Sequence, residues 1–117
     1  MSSNPEIRRI KTWVGATARK LRFQVRNPET LLPIDLGDVE NAYLSASIDE
    51  RATYKFANVV MRIEVGTDGW CYFYPTAAQV DTAGDYYGNI KLEYTDTLDY
   101  SKEFIIEVGT PNDSTVS

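Results

Sequence analysis

Polar and apolar residues alternate with period two along most of this 117-residue chain, and that period belongs to strands with one buried face. In ARKLRFQVR, Leu21, Phe23 and Val25 alternate with Lys20, Arg22, Gln24 and Arg26, which predicts a buried face backed by a strongly positive one. NPET then turns the chain, with Pro28 suited to the first central dihedral. LLPIDLGDV is less regular and reads as a loop that anchors Ile34 and Leu36 in the core. NAYLSASID sets Ala42, Leu44, Ala46 and Ile48 against Tyr43, Ser45, Ser47 and Asp49; a helix competes, but the polar second face favours a strand. NVVMRIEV alternates Val59, Met61, Ile63 and Val65 with Val60, Arg62 and Glu64. GTDG, from Gly66 to Gly69, is a hairpin signal because Asp-Gly tolerates positive φ. Its partner strand is WCYFY, closed by Pro75.

A helical turn is expected only in PTAAQVDTAG, where Thr76 and Gln79 have capping-box spacing. GDYYGNIKLEYTD then points Tyr86, Ile90, Leu92 and Tyr94 inward and Tyr87, Asn89, Lys91 and Glu93 outward. After a turn around Asp96 to Asp99, KEFIIEV buries Phe104, Ile106 and Val108. With a first short strand in IRRIKTW, about seven strands are expected over residues 7–108, flanked by flexible polar tails at 1–6 and 109–117. Short strands at close spacing with turns between them form the pattern of an antiparallel β-sandwich, an all-β fold. In such sandwiches a tyrosine near the start of a late strand sends its hydroxyl back to the preceding corner. Asp81, Gly84 and Tyr86 have that order, so Tyr86 reads as a fold residue.

The chemistry this composition permits is narrow. No histidine is present, which removes Ser-His-Asp and Cys-His catalysis and nearly every zinc site of ordinary ligand spacing. The single cysteine, Cys71, lies in an apolar run and reads as a packed side chain. A hydrolase built on an acidic pair would need a cleft that two packed sheets rarely leave. Calcium at Asp96 and Asp99, or at Asp35 and Asp38, lacks a full coordination loop, so no catalytic, cofactor or metal residue is assigned. No apolar run is long enough for a membrane span or an export peptide, which predicts synthesis in a cytosol.

Charge is lopsided. The first 26 residues hold seven of the twelve basic side chains and one of the seventeen acids. The low pI and the lack of basic motifs interleaved with aromatic or glycine residues argue against nucleic acid. A surface that meets the opposite charge on another copy or another protein fits better. Arg8, Arg9, Lys11, Trp13, Arg19, Lys20 and Arg22 are the expected contact surface.

The strand around LRFQV, the step Pro33, Asp35, Leu36, the Asp68-Gly69 hairpin and TAAQVDTAGDYYGNIKLEYTD together resemble the N-terminal immunoglobulin-like domain of the phage baseplate upper protein family. The resemblance covers roughly residues 12–108. It implies an immunoglobulin-like sandwich in a tailed-phage virion, a non-enzymatic adaptor of baseplate, tail or fibre. Its expected partners are other phage structural proteins and copies of itself, with no membrane and no nucleic acid. Longer members carry a helical or receptor-binding extension after the sandwich; its absence here makes a standalone adaptor the expectation. The alternative is a carbohydrate-binding module for host adhesion, using Tyr43, Tyr54, Tyr87 and Trp70 from a chain with eight tyrosines and two tryptophans. Aromatic rings aligned on one exposed face would favour it.

Overall fold

A computed structural model describes residues 4–48, 54–64 and 68–110. Its strands are β1 (Glu6–Ile7), β2 (Ile10–Trp13), β3 (Leu21–Arg26), β4 (Asn41–Ser47), β5 (Tyr54–Ile63), β6 (Trp70–Phe73), β7 (Gly84–Glu93), β8 (Leu98–Tyr100) and β9 (Phe104–Gly109). A 3-10 turn at Ala77–Val80 joins β6 to β7. The protein is all-β, a mixed sheet whose path runs β1-β3-β6-β5-β4-β7-β9-β2, with β8 beside β7.

The path curls. Four strands separate β3 from β9 along it, yet the Phe23 ring of β3 meets the Phe104 ring of β9 edge-on at 5.4 Å between centroids. Such contact requires the two ends of the sheet to face each other across a shared core. β5 makes the bend: Tyr54 to Met61 pair with β4, whereas Arg62 and Ile63 pair with β6. Register shifts between Leu44 and Ala46 and between Ala46 and Ser47 mark bulges there, which bend and twist a strand locally. Asn58, at φ 54°, sits within this irregular stretch.

The alternating positions become the core. Leu21, Phe23 and Val25 of β3 face Ala42, Leu44 and Ala46 of β4, Tyr86, Ile90 and Leu92 of β7, and Phe104, Ile106 and Val108 of β9, all buried. Phe23 also stacks near Phe73, and Phe56 tilts against both Phe73 and Tyr86. Each such pair contributes about 0.5–1.5 kcal/mol beyond its buried area. Leu36 is buried and Ile34 half-buried, as anchors should be.

Several expectations are corrected. IRRIKTW forms two strands: β1 pairs antiparallel with β3, and after Arg8 and Arg9 the chain crosses to pair parallel with β9. Pairing is therefore not antiparallel throughout, because period two reports which face is buried and not which neighbour a strand finds. β8 occupies the expected Asp96–Asp99 turn region; its exposed, half-exposed, exposed pattern carries no buried alternation to reveal it. Ile48 was expected inward but is exposed, since it follows Ser47, the last residue of β4 paired to its neighbours. Pro5 and Glu6, expected in the N-terminal tail, are held by the fold: Pro5 is buried, its carbonyl accepts from Lys102 N at 2.7 Å, and Glu6 lies in β1. Val65, Asp49, Gly66 and Thr67 of the GTDG turn, and the C-terminal tail beyond residue 110 lie outside the described residues.

Candidate functional site

The corner before β7 is tied from several sides. Thr76 Oγ1 accepts from Gln79 N, and the Gln79 side chain accepts from Thr76 N at 2.9 Å, closing the capping box. Asp81 pairs with Lys55 of β5, and that hydrogen bond is the main cause of its depressed pKa, with Thr82 adding to it. Tyr86 is buried, and its hydroxyl donates to Thr82 O at 2.7 Å. Burial pushes the Tyr86 phenol above its ordinary pKa, so the group stays a neutral donor. Gly84 has φ +139°, a conformation side chains rarely adopt, although a Cβ there would meet open space. Asp81 lies at the 3-10 C-cap and Gly84 begins β7.

The outward face of β3 and β6 is a ladder of cations over rings. Arg22 lies over the Trp70 ring at 4.0 Å and holds Glu64 through Nε at 2.8 Å and Nη2 at 3.0 Å. Lys20 sits over Tyr72 at 4.3 Å and 3.9 Å from the same carboxylate. The Arg22 hydrogen bond holds the Glu64 carboxyl below the usual carboxylate range. Behind the ladder, burial pushes the Cys71 thiol up to about 12; a thiol that stays protonated is a poor nucleophile.

The expected basic contact surface is divided between two places. Arg22 and Lys20 belong to the ladder, whereas Arg9 pairs with Glu107 at 3.2 Å and Asp85 at 3.7 Å on the β7–β9 side. Lys11 lies opposite Glu107 and Trp13 opposite Gly109 in the parallel β2–β9 pair, and Arg19 covers Trp13 at 5.4 Å. Arg8 is exposed between β1 and β2. The inward sides of the two places face one core, so their outward faces point apart. Clustering in sequence did not survive the return from β2 to β3, which parts Arg19 from Lys20.

The outward face of β4, β5, β7 and β8 gathers tyrosines. Ser47 lies opposite Tyr54 on one side and Tyr87 on the other. Two rows over, Tyr43 lies between Val60 and Lys91, and Lys91 is paired onward with Tyr100. Three of the four rings expected for sugar binding thus share a face, while Trp70 lies beneath Arg22 on the outward face of β3 and β6. Between the rows is a groove of about 300 Å³ lined by Ser45, Tyr54, Ala57, Asn58, Asn89, Lys91 and Tyr100. Sequence reasoning missed Tyr100, which sits on the unforeseen β8, and Asn58, which the bulge presents.

Two of the four acids considered for calcium accept from nearby backbone: Asp35 from Gly37 N at 2.8 Å and Asp99 from Tyr100 N at 2.9 Å. Among the described residues no three histidine, cysteine or acidic side chains converge on one point. No known protein family matches the chain and no curated protein is similar to it in sequence, so its quoted motif residues alone carry the phage-baseplate resemblance.

Proposed function

We propose that this chain is a non-enzymatic assembly module of a tailed-phage particle, an immunoglobulin-like sandwich joining baseplate, tail or fibre to its neighbours through protein contacts. Strand order supports the sandwich. The path β1-β3-β6-β5 followed by β4-β7-β9 matches the immunoglobulin grouping of first, second, fifth and fourth strands in one sheet and third, sixth and seventh in the other. In that grouping β2 is the second half of a divided first strand.

The observation that carries the assembly role is β2. It ends the strand path, so its outer edge has no partner strand among the described residues. Such an edge offers backbone groups to another chain. Lys11, Trp13 and Arg19 flank it, while the rest of the chain is strongly acidic. One copy can therefore present a basic edge to the acidic body of the next, the charges setting orientation.

Light scattering at low and high salt tests this. A symmetric oligomer that dissociates as salt screens the contact is expected, and Lys11→Glu with Arg19→Glu should give a monomer at low salt. A wild-type monomer at every salt concentration would remove self-pairing and leave only a foreign partner.

A further inference from the structure

The groove between β5 and β8 differs chemically from the assembly edge. We propose that it is a binding site for a neutral glycan laid along a polar floor, with Tyr54 toward one end and Tyr100 toward the other. The site is independent of the assembly reading. Its floor is set by register: Ser45 of β4 lies directly opposite Asn89 of β7, with Lys91 two positions further along β7. Its walls are Tyr54, Ala57 and Asn58 from β5 and Tyr100 from β8. Tyr54 is 61% exposed and Tyr100 45% exposed, so both rings are open to a ligand.

Three observations favour a sugar over a protein partner. First, open rings alternate with neutral hydrogen-bonding groups. An aromatic ring has a negative face that suits the C–H groups of a pyranose, and the Asn58 and Asn89 carboxamides offer both donors and acceptors to its hydroxyls. Neither carboxamide has a hydrogen-bond partner among the described residues, although Asn58 N donates to Ser45 Oγ at 2.9 Å and so fixes the bulge. Second, the lining holds one cation and no acid, and Lys91 already lies over the Tyr43 ring at 4.9 Å. An anionic polymer would need more positive charge, whereas a neutral one needs none. Third, the groove is narrow and polar-floored at about 300 Å³, the small end of ligand sites. The core of a protein interface is broad and apolar.

Native-gel electrophoresis through hydroxyethylcellulose, amylopectin, galactomannan and yeast mannan tests the site on the full chain, with heparin as the anionic comparison. At least one neutral polysaccharide should retard the protein, at high salt as well as low, and heparin should not. Tyr54→Ala or Tyr100→Ala should weaken retardation about tenfold and Asn89→Ala severalfold, while Trp70→Ala leaves it unchanged. Unaltered thermal unfolding of the groove variants would show that binding, not folding, was lost. Free migration in all four neutral gels, retardation abolished by salt, or groove variants that bind like wild type would each overturn the proposal. So would Tyr54→Ala changing the oligomeric mass without polysaccharide, which would make the groove a contact between copies.

Discussion

Two outward faces of this molecule are built from aromatic and cationic side chains and use them in opposite ways. On β3 and β6 the cations are consumed locally: Arg22 covers Trp70, Lys20 covers Tyr72, and both converge on Glu64. On β4, β5, β7 and β8 the tyrosines flank a groove floored by amide and hydroxyl groups, with Tyr54 and Tyr100 uncovered. The difference lies in the available carboxylate. Glu64, next to the end of β5, lies within reach of both Lys20 and Arg22, while no acidic side chain lines the groove. One face is closed by its own charges and the other is left for a ligand.

Substitutions sharpen that contrast. The largest effect should come from Gly69, just before β6 of the closed face. It has φ +76°, and a Cβ there would lie 2.6 Å from Val25 O and 2.9 Å from Ile34 O. Gly69→Val should cost roughly 3 kcal/mol or more through strain and backbone overlap, measured as loss of soluble protein or a much lower urea midpoint. Gly84→Val meets the φ penalty without the clash and should cost about 1–3 kcal/mol. Equal effects at the two glycines would contradict the packing described around Gly69. Tyr86→Phe removes the hydroxyl bond to Thr82 O and should cost about 1 kcal/mol with the fold kept, by the same urea assay.

Acid should loosen the closed face in a definite direction. Glu64 and Asp81 have depressed pKa values because Arg22 and Lys55 hydrogen-bond their ionised forms. Their contribution is fully present above the unfolded carboxylate range, near pH 4, and is lost as pH falls through the depressed folded values. Urea midpoints should therefore drop below about pH 4, and Glu64→Gln should flatten part of that slope while weakening stability only slightly at pH 7, as for exposed ion pairs. A wild-type slope in Glu64→Gln would mean the ladder is not coupled to folding. The smallest effect is expected on the open face: Tyr54→Ala should change stability by no more than about 0.5 kcal/mol. A large loss in thermal unfolding would mean that ring supports the fold.

The two faces were unequally legible. The inward positions of β3, β7 and β9 follow from alternation alone, because a strand with one buried face must place apolar side chains at every second residue. Thr76 and Gln79 close the capping box that their spacing predicts. The groove was only half visible: Ser45, Asn89 and Lys91 are outward by pattern, but Tyr54 precedes the alternating run NVVMRIEV and Tyr100 needed β8, whose three residues are too few and too exposed to show a period. The basic cluster misled for a related reason, since neighbours in sequence parted between Arg19 and Lys20, where the chain returns from β2 to β3.

Local sequence therefore determined the strand period, the apolar face of each long strand, the corner turn and the lack of imidazole chemistry, all properties of residues within a few positions of one another. Tertiary structure decided the parallel β2 pairing, the meeting of Glu64 with Arg22, and the gathering of Tyr54 and Tyr100 along one groove. Those depend on which strands become neighbours when the sheet curls, and a period-two pattern is the same whichever neighbour a strand finds.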